Sequence, residues 1–210
     1  MAEELGRIER LPVDSYRTGR KLFFVPLVFA PREPEGDLQE LVTRYWDQVE
    51  AHLSNLEAKL GSVNKIYHEL VPIGGEEGAK AIESLNPWSY RIVQPRLGRG
   101  AQLQPIEEPE LLAEYTDWGK CLASGLQSQA AIAKVFELYA DVQKRRNERM
   151  AEQIDKTLED SEAGILLMRE GHQVQFPASI QVFYVAPPAL DEIKRWVRER
   201  ESTVQNSGDS

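Results

Sequence analysis

The fold is decided by residues 144–200, KRRNERMAEQIDKTLEDSEAGILLMREGHQVQFPASIQVFYVAPPALDEIKRWVRER. Met150, Ile154 and Leu158 recur every four residues, which predicts an amphipathic helix that ends near Leu158. Residues 164–168 are uniformly apolar, as is typical of a strand that is covered on both faces. A helix is therefore followed directly by a buried strand.

A second strand and a closing helix complete this stretch. Residues 180–186 are rich in β-branched and aromatic side chains and stop at Pro187. Pro188 suits the first turn of a helix over residues 189–199. Residues 169–172 stand at the carboxyl end of the first strand, and open α/β sheets usually bind their ligands at that end.

The amino-terminal part begins with an apolar strand and a long helix. Residues 21–29 predict the strand, and Pro26 denies it one ladder hydrogen bond, which predicts an edge position or a bulge. The helix is predicted to start at Asp37, which can form a capping box with Glu40. Gly61 is expected to terminate it.

The middle of the chain continues the alternation. Further strands are predicted at residues 63–71 and 91–94, with a short helix at residues 76–85 between them. Residues 95–106 form a long connection. The helical segment at residues 109–160 is long enough to predict a bend or a projecting hairpin.

This order of elements predicts an α/β fold with a mixed, mainly parallel sheet, flanking helices and an inserted all-helical segment. We expect a single domain over residues 21–201 that contains the helical insert at about 109–160. A flexible arm is expected at residues 1–20 and a disordered tail at residues 202–210.

Composition limits the classes of partner and the compartment. The 34 acidic and 25 basic residues give a net charge of −9, which disfavours nucleic acid and anionic membranes as partners. Cys121 is the single cysteine, so an internal disulfide is excluded. The first residues lack the apolar core of a signal peptide, and no run reaches the ~18 apolar residues of a membrane span. We expect a cytoplasmic protein.

Four titratable side chains are expected to meet at the carboxyl ends of two strands: His68, Glu69, Glu170 and His172. Two imidazoles with one or two carboxylates can hold zinc or another divalent metal and activate its water. His68 and Glu69 point to opposite faces unless the strand ends there. The alternative is structural, with His172 bonded to loop carbonyls and Glu69 paired with a neighbouring arginine.

Three other groups of residues favour a structural explanation. The basic cluster at residues 144–146 and Arg149 is typical of a solvated helix face. The acidic run at residues 107–110 suits the first turns of a helix better than a calcium or magnesium site. Cys121 is more typical of helix packing than of a catalytic thiol, because no base is positioned for it by the sequence.

A resemblance to a known superfamily lies in the same carboxyl-terminal stretch. The residues that carry it are Arg146, Asn147, Met150, Ala151, Ile154, Gly171 and His172. This segment resembles the TraB/PrgY, GumN, Tiki and ChaN-like superfamily, in which an R-N-x-x-M-A-x-x-I helix precedes a strand ending in G-x-x-H or G-x-G-H. Arg169 replaces the first glycine of that turn, and the first G-x-x-H of the superfamily is missing from residues 21–31. The resemblance implies an α/β fold with a helical insert, and in members that cleave peptides a metal held by histidines and glutamates.

Two hypotheses of function follow. In the first, the protein binds a small ligand or a divalent metal at the strand ends. If it is an enzyme, it is a metal-assisted hydrolase with Glu69 and His172 as catalytic residues and His68, Glu69, Glu170 and His172 as metal ligands. In the second, it is a non-catalytic interaction protein whose segment 109–160 forms a homodimer or a surface for a protein partner.

Overall fold

The computed structural model describes residues 18–30 and 36–208, with side chains described up to residue 200. Five strands form one sheet: β1 (Arg20–Pro26), β2 (Val63–His68), β3 (Gln102–Leu103), β4 (Ala163–Met168) and β5 (Ile180–Tyr184). Their order across the sheet is β3-β2-β4-β1-β5, and all neighbouring pairs are parallel. The predicted α/β class is confirmed.

The described residues form six helices: α1 (Asp37–Leu60), α2 (Gly75–Leu85), α3 (Pro87–Gly98), α4 (Pro109–Ala123), α5 (Gln129–Thr157) and α6 (Pro188–Gly208). One apolar core joins α1, α2, α3 and α6 to one face of the sheet, and a second core joins α5 to the other face. The sheet is therefore the middle of three layers, and its central strand β4 is buried along its whole length.

The carboxyl-terminal half of α5 lies on the sheet and the amino-terminal half projects from it. Val142, Met150 and Ile154 are fully buried, because their spacing of four or eight residues keeps them on one face. None of the residues 109–141, which form α4 and the first half of α5, is buried. We call residues 109–141 the hairpin. The prediction of a projecting helical hairpin is confirmed.

Two predictions about proline and strand position are wrong. β1 lies between β4 and β5 instead of at an edge, and Pro26 is its last residue, where the ladder no longer needs its nitrogen. Residues 91–94 belong to α3, not to a strand. The Asn86 side chain accepts a hydrogen bond from Ser89 N and Pro87 occupies the first turn, so a cap starts the helix despite Pro95 inside it.

The ends of the chain and of α1 also differ from expectation. Asp37 is the first residue of α1 and Gly36 is the N-cap without a side-chain hydrogen bond, so the predicted capping box does not form. The structure continues α6 to Gly208, whereas a disordered tail was predicted from residue 202, because few helix-breaking residues stand before that glycine. The predicted arm lies outside the described residues up to residue 17, and Arg20 already belongs to β1.

Gly78 in α2 allows a close approach between helix and sheet, which gives a first prediction. A Cβ at Gly78 would lie 2.3 Å from the Ile73 carbonyl oxygen and 2.7 Å from Leu103 Cδ2. We expect Gly78→Ala to lower the free energy of unfolding by about 1–3 kcal/mol in urea titrations, since the backbone has to move. Gly98→Ala is the matched control, because nothing lies within 4 Å of its Cβ position. Equal stability of the two variants would contradict the prediction.

Candidate functional site

Glu69 stands where β2 leaves the sheet, and two arginines surround its carboxylate. The backbone N–H of Arg169 donates to Glu69 Oε2 at 2.8 Å, and Arg169 Nη2 donates to Oε1 at 2.9 Å. Arg146 Nη2 donates to the same Oε1 at 3.2 Å from α5 on the covering face. Because β2 and β4 are parallel neighbours, Glu69 and Arg169 meet at the carboxyl ends of these strands.

A second carboxylate completes the ion-pair network. Glu107 lies in the segment that leads into α4, and both of its oxygens accept hydrogen bonds from Arg146, with Nε to Oε2 at 2.8 Å. Arg146, Glu69 and Glu107 are each less than a tenth exposed. Two carboxylates and two guanidinium groups balance in charge, so a buried network of this kind is satisfied as long as it stays complete.

The network keeps Glu69 ionised. Burial would raise the pKa of Glu69, but hydrogen bonds from Arg169 and the charges of Arg169 and Arg146 outweigh burial and lower it. The pKa of Arg169 is raised by its hydrogen bonds to Glu69. A carboxylate with a lowered pKa and several donors is a weak proton acceptor, which is unfavourable for a general base.

The backbone turns sharply after Glu69. Leu70 has a φ of 69°, in the left-handed region that residues other than glycine rarely adopt. Its N–H donates to Glu107 Oε1 at 2.8 Å, which ties the turn to the ion-pair network. Backbone strain of this kind costs on the order of 1 kcal/mol and is concentrated at functional sites.

The hairpin reaches the network through an aromatic pair. The Arg146 guanidinium lies 4.6 Å from the centre of the Tyr115 ring, in cation–π geometry. Tyr115 stacks on Tyr139, and the Tyr139 hydroxyl donates to the Tyr115 hydroxyl at 2.8 Å. Burial and this hydrogen bond raise the pKa of Tyr139 to about 12.

A cavity of about 160 Å³ opens beside the network, at the carboxyl ends of β2 and β4. Its lining includes Glu69, Arg169, Gln143, Asn147 and His172. Asn147 is 7% exposed, and in the described part of the chain its side-chain amide makes no hydrogen bond. The amide is not fully enclosed, and because Asn147 lines the cavity, its polar atoms are available to a polar ligand or to water there.

His172 presents a donor to this cavity. Val174 N–H donates to His172 Nδ1 at 3.2 Å, so Nδ1 is the acceptor. Burial lowers the pKa of His172 more than Glu69 raises it, which keeps the imidazole neutral with its proton on Nε2. The ring lies against Phe24, with 4.8 Å between ring centres. The predicted bonding of His172 to loop carbonyls is not the contact observed.

Glu170 lines the cavity but its carboxylate is bound by other side chains, and His68 is not part of the lining. Glu170 accepts hydrogen bonds from the Tyr184 hydroxyl and from Lys194 Nζ, the latter at 2.8 Å. His68 lies in the core on the opposite face, where Nε2 is 3.0 Å from Ser89 Oγ and Nδ1 is 2.6 Å from the Glu69 carbonyl oxygen. Burial lowers the pKa of His68 to about 4.

The structure does not bring the four predicted metal ligands, His68, Glu69, Glu170 and His172, together as one set. His68 and Glu69 follow each other in an extended chain and point to opposite faces, while Glu69 and Glu170 are held by arginine and lysine side chains. Among the residues that the structure describes, no three His, Cys, Asp or Glu side chains are grouped as metal ligands. The structural alternative for Glu69, pairing with a neighbouring arginine, is confirmed.

Sequence reasoning missed Arg146, Glu107 and Tyr115 as parts of the site. Arg146 was assigned to a solvated basic face, although it stands between Val142 and Met150 in the apolar stripe of α5. A charged residue in such a stripe signals a buried ion pair. Glu107 carried no comparable signal, because the acidic run around it suits a helix start equally well.

Comparisons with known proteins found no relative of this chain. No protein-family model matches the chain, and no match was found among curated proteins or solved structures. Within the described residues, no helix combines the length and the apolar character that crossing a membrane requires.

Proposed function

We propose that the protein binds a small ligand carrying a carboxylate or another oxyanion in the cavity at the ends of β2 and β4. The Asn147 side chain, which lines the cavity and makes no hydrogen bond in the described part of the chain, is the observation that carries the proposal. The position agrees with the rule that open parallel sheets bind ligands at the carboxyl ends of their strands.

The free groups around the cavity are mainly donors. Arg169 Nη1 and His172 Nε2 make no hydrogen bond in the described part of the chain, and the Asn147 and Gln143 amides add further N–H groups. Glu69 and Glu107 are already saturated by arginine donors. A ligand rich in acceptors therefore satisfies more of these groups than a cationic ligand would.

The cavity volume limits the ligand. A volume of about 160 Å³ is below the roughly 300–1,000 Å³ of typical ligand pockets, which favours a small ligand such as inorganic phosphate or a short dicarboxylate. The hydrolase activity that the superfamily resemblance implies would need Glu69 to release its arginine partners. Ligand binding needs no such rearrangement, so we place it first.

Isothermal titration with phosphate, malonate and succinate tests the proposal. At least one of these anions is expected to bind, and Asn147→Ala is expected to weaken it by about tenfold to a hundredfold, because a hydrogen bond to a charged group is lost. Asn55→Ala, at an exposed position in α1, is the matched control and should leave the affinity unchanged. Binding by none of the anions, or equal binding by the Asn147 variant, would reject the proposal.

A further inference from the structure

A groove adjoins the ligand cavity and follows the flank of α5. Its volume is about 410 Å³, within the roughly 300–1,000 Å³ of typical ligand pockets. Asn147 lines both the cavity and the groove. Of the neighbours Gln143 and Lys144 the first lines the cavity and the second the groove, and His172 and Gln173 divide in the same way. A ligand longer than a single anion can therefore occupy both spaces.

One wall of the groove is the segment that follows the cavity, residues 172–176. Val174 is buried in the core beneath α5, whereas Gln173 and Gln175 are exposed and line the groove. Such alternation is typical of an extended backbone, whose successive side chains point to opposite sides. At about 3.3 Å per residue the segment is roughly 17 Å long, so a short peptide can lie along it.

The main chain of this segment has free hydrogen-bonding groups. Residues 172–176 belong to no strand, and within the described residues the main-chain and side-chain amides of Gln173 and Gln175 make no hydrogen bond. The Val174 N–H donates to the side chain of His172, at the end of the segment beside the cavity. Peptides bind to extended segments with free main-chain groups by adding a strand beside them.

The cavity determines which part of a peptide reaches it. Its far wall is formed by the Glu69–Arg146 ion pair and by Tyr115. A chain that follows the groove toward the cavity meets this wall, so the chain ends there, beside Arg169 Nη1 and His172 Nε2. The acceptor at the end of a peptide main chain is the terminal carboxylate, and free donors of this kind suit it.

We infer that the ligand is the carboxyl-terminal end of a peptide, with its carboxylate in the cavity and its main chain along residues 172–176. The inference rests on the proposed function, because it places the proposed oxyanion at the end of a peptide. A hydrocarbon chain would leave the free amides of Gln173 and Gln175 without partners. Peptide groups instead supply a donor and an acceptor at each residue.

Isothermal titration with acetate, N-acetyl-tetraalanine and the carboxyl-terminal amide of that peptide tests the inference. The tetrapeptide is expected to bind about tenfold to a hundredfold more tightly than acetate, because its main chain adds several hydrogen bonds. The amide is expected to bind about tenfold more weakly than the acid, since it lacks the terminal charge. Octanoate carries a carboxylate on a hydrocarbon tail and should bind more weakly than the tetrapeptide.

A variant that fills the groove separates the two spaces. Ala151→Phe enlarges a side chain that lines the groove and lies outside the cavity lining. This variant is expected to bind acetate as the unaltered protein does and to lose the added affinity for the tetrapeptide. Ala133→Phe, at an exposed position in the same helix, is the matched control and should leave both affinities unchanged.

The outcomes distinguish this inference from the proposed function. If phosphate, malonate or succinate binds but the tetrapeptide binds no more tightly than acetate, the peptide is overturned and the anion site stands. Equal affinities for the acid and the amide, or for the tetrapeptide and octanoate, also overturn the peptide. Binding by none of these compounds overturns both. Tight tetrapeptide binding by a folded Ala151→Phe variant overturns the placement in the groove. If circular dichroism shows that this variant is unfolded, the comparison of acid, amide and octanoate on the unaltered protein decides.

Discussion

Arg146→Met is expected to lower the free energy of unfolding by about 3–5 kcal/mol, because it leaves two buried carboxylates without their shared cation. Arg146 donates to Glu69 and Glu107, whose side chains are almost inaccessible to water. Methionine is similar in length to arginine and has a good helix propensity. The decrease in the free energy of unfolding is therefore due mainly to the lost ion pairs and not to a weaker helix. The measurement is urea unfolding of both proteins at neutral pH.

The neighbouring Arg145 supplies the control. Arg145 is 43% exposed and pairs with Glu114 and Asp141 at the surface, so Arg145→Met should change stability little. Adding Glu69→Gln and Glu107→Gln to Arg146→Met removes the unpaired charges and is expected to restore part of the loss. Equal destabilisation by the Arg145 and Arg146 variants would refute a buried network as the cause.

The free energy of unfolding is expected to fall by about 2 kcal/mol between pH 7 and pH 5 through His68 alone. Burial lowers the pKa of His68 from 6.5 to about 4 in the folded protein. The folded state therefore favours the neutral ring. The contribution of the neutral His68 ring to the free energy of unfolding is fully present above the pKa that His68 has in the unfolded chain. It decreases as the pH falls from about 6.5 toward 4, since the unfolded chain binds the proton first.

Urea unfolding of His68→Gln across the same pH range checks this assignment. The variant is expected to show a flatter dependence on pH, whatever its stability at pH 7. Burial lowers the pKa of His172 as well, so the same measurement on His172→Gln determines the contribution of that ring separately. The pKa of Glu69 and of Glu170 is lowered too, and these carboxylates affect stability mostly below pH 5. Parallel curves for the unaltered protein and His68→Gln would exclude His68 as the cause.

The sequence predicted the elements in which local and tertiary preferences agree. The helix up to Gly61 has apolar residues at helical spacing over its whole length, and β4 is an uninterrupted apolar run, so both were found. Residues 91–94 look like a strand in isolation, but the capping side chain of Asn86 and the proline after it start α3 upstream of them. The position of β1 in the sheet could not be predicted from the sequence either, because Pro26 is compatible with the end of a strand as well as with an edge strand.

The end of the sheet at which the candidate site residues lie was predictable, but the partners of their side chains were not. The rule for parallel sheets placed Glu69, Glu170 and His172 at one end of the sheet, where the structure has them. The partner of each group depends on residues far away in sequence, such as Arg146 and Glu107 for Glu69. Side-chain direction at a strand end is set by the turn that follows, and the left-handed conformation of Leu70 has no sequence signature.

The order of the strands has a consequence for biosynthesis. β1 and β2 are made early, yet they do not touch each other, since β4 lies between them and hydrogen-bonds to both. A nascent chain that ends before Ala163 thus contains β1 and β2 without the strand that lies between them. The sheet can be completed only when most of the chain has left the ribosome. Until then the apolar side chains of Phe23, Val25 and Ile66 are exposed, and a chaperone can bind them.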